Sequence, residues 1–159
     1  MEIIKVDYGD EKQAADLCAL LNGYAMDPKG GGEAIDAENL QQLPSKLKDF
    51  PTAASFILYD NGKPAALANT FLGFSTFAAQ ELLNIHDIYV AKEFRGKGYS
   101  QKMLQACQDY ALSKNCCKIT LEVQDKNTPA MNAYRKFGFA GYELDPVDGK
   151  AMFWQKKLK

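Results

Sequence analysis

The chain has 159 residues, 47% of them hydrophobic and 25% charged, with a net charge of −1. The length fits one domain spanning residues 1–159, large enough for a core without metal or disulfide staples, and the composition sits at globular averages. The near-neutral balance gives no global basic field for wrapping nucleic acid, and no apolar run approaches the roughly 18 residues of a membrane span.

"MEIIKVDYGDEK" lacks the basic start and apolar stretch of a signal peptide, so a cytoplasmic location is expected, with no membrane attachment. Within it, "EIIKVDY" reads as an opening strand. In "GDEKQAADLCALLNGYAM" the residues Ala14, Leu17, Cys18, Leu21 and Ala25 recur at helical spacing. "DPKGGGEAID" then breaks the periodicity and reads as a mobile loop, because Pro28 and three successive glycines are costly in any regular element. Asp36 or a neighbour can start a second helix through Leu40, Leu43 and Leu47, which Pro44 should make kinked or irregular.

"AASFILYDNGKPAALANTFLGF" holds two apolar runs joined by Asn-Gly, the strongest short-range hairpin signal. "ELLNIHDIYV" reads as a strand, "YSQKMLQACQDYALSK" as a helix, "CCKITLEV" as a strand, "TPAMNAYRKF" as a short helix and "AMFWQKKL" as a closing strand. A meander followed by alternating strands and helices predicts an α/β (α+β) fold with a mixed sheet. The four cysteines show no zinc-like spacing and read as reduced thiols, and a single histidine excludes a multi-histidine metal site.

The junction "EFRGKGYSQKML" puts a glycine-rich turn before a helix with Met103, Leu104, Cys107, Tyr110 and Ala111 on one face. Backbone N–H groups at such a helix start lack intrahelical partners and favour an anion. A Walker loop fails, because Lys97 is followed by Gly98 and Ala91 stands five before Gly96. A Rossmann fingerprint fails, because Gln101 stands where the third glycine belongs.

The run Arg95, Gly96, Lys97, Gly98, Tyr99, Ser100 resembles the pyrophosphate signature of the GNAT superfamily of acyl-CoA-dependent N-acetyltransferases in its first and fourth places. Ser100 departs from it, standing where the family usually has Gly or Ala. "VQDKNTPAMNAYRKFGF" resembles the family's next segment, with Asn127, Ala130, Tyr134, Gly138 and Phe139 in order and spacing. The resemblance covers roughly residues 82–139. It implies a mixed, mostly antiparallel sheet of six to seven strands flanked by about four helices, with a splayed strand pair forming a CoA cleft.

The resemblance further implies that acetyl-CoA is the cosubstrate, with no metal. Its pantetheine arm would pair with the backbone of Ile88, Tyr89 and Val90, and its pyrophosphate would sit on the N–H groups of residues 95–100. Six basic against two acidic residues over residues 92–118 suit a polyphosphate. Independently of the family, Thr128 can cap the short helix, Pro129 suits its first position and Gly138 its stop. Ala130 and Tyr134 then share a face along which a thin amide chain could pass.

Acetyl transfer to an amine needs a neutral nucleophile and benefits from a proton for the departing thiolate. Tyr134 is the candidate acid. An imidazole can take a proton near neutral pH, so His86 is the candidate base, acting through water. Strict alternation on the strand puts Asn84, His86, Ile88 and Val90 on one side and Ile85, Asp87 and Tyr89 on the other, leaving Asp87 as runner-up on the opposite face. No cysteine falls in the motif, so direct transfer through a tetrahedral intermediate is expected, without an acyl-enzyme.

Eight acidic residues against four lysines over residues 10–50 favour a small cationic amine acceptor. "DPKGGGE" could close over it, and "NTFLGFSTF" could supply aromatic walls. The resemblance leaves room for a homodimer. The alternative function is a non-catalytic acyl-CoA binding or sensing module on the same fold.

Overall fold

A computed structural model describes residues 1–141 and 153–158. Five strands, β1 (Glu2–Lys5), β2 (Ala53–Asp60), β3 (Lys63–Ser75), β4 (Gln80–Val90) and β5 (Ile119–Leu121), form one sheet in the order β1-β2-β3-β4-β5. All neighbours are antiparallel except the parallel pair β4 and β5. Helices α1 (Glu11–Met26), α2 (Ala37–Lys48), α3 (Tyr99–Ser113) and α4 (Thr128–Phe137) flank it. This is the expected mixed, mostly antiparallel α/β architecture.

The strand count is five among the described residues, where six to seven were expected. Residues 153–158 of the expected closing strand lie exposed and in no strand, while residues 151–152 fall outside the described residues. The strand read in "CCKITLEV" shortens to Ile119–Leu121, with Cys116 and Cys117 in the connection before it.

The sheet separates two apolar layers. On one face Met103, Leu104, Cys107 and Ala111 of α3 pack fully or nearly buried against Phe56, Leu58, Ala66, Ala68, Leu83 and Ile85. On the other, Leu17 and Leu20 of α1 and Leu47 of α2 cover Ile57 and Leu67. Full burial of a Leu or Met side chain stabilises by about 1.5–3 kcal/mol, so these layers dominate over the surface ion pairs.

Local signals in the sequence account for the element ends. Asp10 caps α1 by accepting from Gln13 N, and Asp36 caps α2 by accepting from Glu38 and Asn39 N. Asn61 and Gly62 take φ of 50° and 76°, the left-handed pair that a two-residue hairpin requires. α2 runs through Pro44 without a break in the helix. Pro44 cannot donate to the carbonyl of Leu40 four residues earlier, and the Cys18 thiol of α1 donates to that carbonyl instead, at 3.4 Å.

"DPKGGGEAID", expected to be mobile, is tied to α1. Gly32 N donates to Ala25 O and Ile35 N to Asn22 Oδ1, each at 2.9 Å. A Cβ on Gly30 would collide with the carbonyl oxygen of Tyr24, so a glycine is required for this close approach.

Candidate active site

Two departures from regular sheet geometry build the site, and both fall on β4. The pairing of β4 with β5 stops at Ile85 and Leu121, whereas β4 continues to Val90. Among the described residues, 86–90 therefore have no strand paired on that side, and a cleft of about 1150 Å³ opens between them and Glu122, Val123 and Gln124. Asn84 Nδ2 donates to Thr120 Oγ1 at 3.1 Å, clamping the two strands just before they part.

The second departure is a β-bulge. Asn69 pairs with Asp87 and Thr70 with Ile85, so His86 is an extra residue outside the β3–β4 ladder. The strict alternation expected for this strand fails for that reason. Ile85 and Ile88, expected on opposite faces, pack into the same layer against α3. His86 meets Phe71 edge-on at 5.6 Å, and Asp87 accepts a hydrogen bond from Asn69 Nδ2 at 2.9 Å. Phe71 belongs to the layer under α1 and α2, so the bulge turns His86 and Asp87 to one face of the sheet.

At one end of the cleft the turn before α3 is held open by Gly96 and Gly98, with φ of 80° and 77°. Among the described residues, no atom outside the adjoining ones lies within 4 Å of where a Cβ would stand on either glycine, and the first N–H groups of α3 have no intrahelical acceptor. That open, donor-rich turn fits a diphosphate. Ser100 lines the cleft at the second position of α3, so its hydroxyl adds a donor there.

Ion pairs fix the turn from both sides. Arg95 Nη2 donates to Asp27 Oδ2 at 2.6 Å and Arg95 Nε to Val90 O at 3.1 Å. Lys97 Nζ lies 3.0 Å from Asp60 Oδ2, which also accepts from the Tyr99 hydroxyl at 2.8 Å. Those hydrogen bonds hold the Asp27 and Asp60 carboxyls below their usual range, the leading cause being Arg95 for Asp27 and Tyr99, then Lys97, for Asp60. Two of the motif's cations are thus engaged by carboxylates.

At the other end, Asn127 caps α4 by accepting from Ala130 N, which displaces Thr128 from the expected cap and puts Pro129 in the second helical position. Gly138 stops the helix at φ 109°. Gln101 Nε2 donates to Ala133 O at 2.9 Å and fastens α4 beside α3. Tyr134 is half-buried, edge-on to Phe139 at 6.0 Å. Burial first, and then the nearby Tyr24 phenol, push its hydroxyl up to about 12, so it stays protonated at neutral pH.

Of the residues singled out in the sequence, His86, Ile88, Tyr89, Val90, Arg95, Gly96, Gly98, Tyr99, Ser100, Asn127, Ala130 and Tyr134 all line this cleft. Lys97 and the runner-up Asp87 do not, since the Lys97 ammonium turns to Asp60 and the Asp87 carboxylate to Asn69. Sequence reasoning missed Tyr24, Asp60 and Gln101 as parts of the site. Asp60 opens the "DNGK" turn and carries no motif; only its tertiary contacts reveal it. Among the described residues no group of His, Cys, Asp or Glu could hold a metal, and no helix is long and apolar enough to cross a membrane.

A streptothricin acetyltransferase of Streptomyces lavendulae is 39% identical over 75 residues, 47% of this chain and 40% of its own length. A thialysine N-ε-acetyltransferase of Sus scrofa is 34% identical over 111 residues, 67% of this chain and 62% of its own length. The chain spans about half the length of the curated relatives it matches. The crystal structure of a probable acetyltransferase superposes with a TM-score of 0.83 over 100% of both chains at 16% identity, a likeness of fold. The profile of the acetyltransferase (GNAT) family matches residues 19–139, and the chain belongs to that family.

Proposed function

We propose that this protein is an N-acetyltransferase that moves an acetyl group from acetyl-CoA directly to a primary amine of a small cationic acceptor. The observation that carries the reading is the convergence, in one cleft, of an open glycine turn at a helix start, the unpaired edge of β4 and the protonated phenol of Tyr134.

Acetyl-CoA brings a thioester whose departing sulfur needs a proton. The edge at Ile88, Tyr89 and Val90 offers backbone groups to the amides of its pantetheine arm, and the turn at residues 95–100 offers N–H groups to its diphosphate. Tyr134 donates the proton to the thiolate. His86, displaced by the bulge to the α1 and α2 face, receives the proton of the attacking amine through water.

The relatives named as acting on thialysine and streptothricin support an amine acceptor, and the acidic excess over residues 10–50 supports a cationic one. Four free cysteines support a reducing, cytoplasmic setting. Release of free thiol from acetyl-CoA, measured across polyamines, amino acids, aminoglycosides and peptides, tests the reading. Acceptor-dependent release is expected; CoA binding with no such release from any amine would leave only a binding module.

A further inference from the structure

A chain of polar side chains crosses the apolar layer beneath α1 and α2. The Tyr8 hydroxyl meets Ser55 Oγ at 2.9 Å, Ser55 Oγ donates to Asn69 Oδ1 at 2.6 Å, and Asn69 Nδ2 donates to Asp87 Oδ2 at 2.9 Å. The chain spans the sheet from beyond β1, across β2 and β3, to the bulge of β4. Ser55 is 1% and Asn69 4% exposed, in a layer otherwise built from Leu17, Leu20, Ile57 and Leu67. Apolar residues of the same shape would fill this layer without the desolvation of three polar groups, so its stability alone does not explain the chain.

Its hydrogen polarity follows from the end at Asp87. A carboxylate is acceptor-only, so the amide of Asn69 must turn Nδ2 towards it and Oδ1 towards Ser55. The single Ser55 hydrogen is thereby committed to Asn69, and Tyr8 must donate to Ser55. Burial is the leading influence on the Tyr8 phenol and pushes it up, which keeps that donor protonated. Every donor in the chain points towards Asp87, and each bond polarises the next.

Asp87 uses one oxygen in this chain. Among the described residues its second oxygen has no hydrogen-bond partner, and none of their buried polar side-chain atoms lacks one, so that oxygen reaches the accessible surface. It stands on the face that carries His86, and its charge is felt by Tyr24, a cleft residue whose phenol is pushed up by burial first and Asp87 second.

We infer that Asp87 binds an ammonium group of the acceptor other than the amine that attacks, and that Tyr8, Ser55 and Asn69 are positioning residues which hold its carboxylate for that contact. The inference deepens the transfer reading and rests on it only for the identity of the acceptor. It assigns the acceptor class as amines cationic at neutral pH.

Calorimetric titration of the CoA-saturated protein with 1,4-diaminobutane tests this without turnover. Asp87→Asn should weaken diamine binding tenfold or more, and Tyr8→Phe and Ser55→Ala about threefold or more each, while the dissociation constant of CoA stays unchanged. Ser55→Thr, which keeps the hydroxyl, should restore the affinity. If Ser55→Ala fails to fold, Tyr8→Phe decides, since it removes one hydroxyl from a half-buried ring. Wild-type affinity in Asp87→Asn, or no diamine binding by the wild type, overturns the assignment of Asp87; wild-type affinity in Tyr8→Phe overturns the positioning chain. Diamine binding that depends on Asp87 in a protein that never releases thiol would sink the transfer reading and leave this one standing.

Discussion

The Arg95 guanidinium lies 2.6 Å from the Asp27 carboxylate, joining the turn before α3 to the C-terminal end of α1, 68 residues earlier in the chain. The side chain of Arg95 is 45% exposed, so the pair contributes at most about 1 kcal/mol to stability. Its consequence is positional. It ties the segment expected to flank the acceptor to the turn expected to hold the diphosphate.

Asp27→Asn releases that guanidinium and removes one negative charge beside the turn. CoA binding should tighten by about two- to fivefold at low ionic strength, the size of a pair worth up to about 1 kcal/mol, and the gain should vanish in high salt. Titrations at two salt concentrations read this directly. Unchanged affinity at low salt would mean that Arg95 stays outside the anion's reach.

The same pair sets a pH dependence. Asp27 is held below its reference value of 3.8 in the folded state, so the unfolded chain takes up the proton first as pH falls. The contribution is complete above that value and is lost as pH drops through the lower folded value. Urea melts should therefore separate wild type from Asp27→Asn at pH 7, and the gap should narrow progressively as pH falls below 3.8. A gap that does not narrow there would contradict the assignment.

Asp60 accepts from both Lys97 and Tyr99 and so fixes the turn from its other side. Tyr99→Phe keeps the ring beside Phe94 but removes a charge-assisted hydrogen bond, which should lower the melting temperature and weaken CoA binding several-fold. Thermal melts and CoA titrations measure the two effects separately. Loss of stability with CoA affinity intact would show that the turn keeps its shape without Asp60.

Tyr134→Phe should lower turnover tenfold or more and leave CoA affinity nearly intact, because the ring and its contact with Phe139 remain. With its hydroxyl pushed up to about 12, the group stays protonated across the working range and contributes no alkaline limb below about pH 10. Turnover equal to wild type would remove Tyr134 from the acid role.

Much of this site was legible because its signals are local. Asn61-Gly62 marked the hairpin, Asp36 the start of α2, Gly138 the stop of α4, and the glycines of the turn their own left-handed backbone. The Asn127 to Tyr134 spacing put Ala130 and Tyr134 on one helix face, and the resemblance to the family put that helix beside the turn. What sequence could not supply was an alignment between strands. The bulge at His86 is a shift of β4 against β3, and alternation read along β4 alone separates His86 from Asp87. The Cys18 thiol on the Leu40 carbonyl and the Asp60 clasp on Lys97 and Tyr99 join distant segments, so no spacing within one segment announces them.

The central claim is acetyl transfer, and a product mass tests it most directly. The protein should be incubated with acetyl-CoA and 1,4-diaminobutane, with free thiol and acceptor mass followed together. The account predicts one acetyl group added to the diamine for each thiol released, with neither product formed when protein or amine is omitted. Thiol release without acetylated amine, or CoA binding without either product across the amine panel, would contradict it.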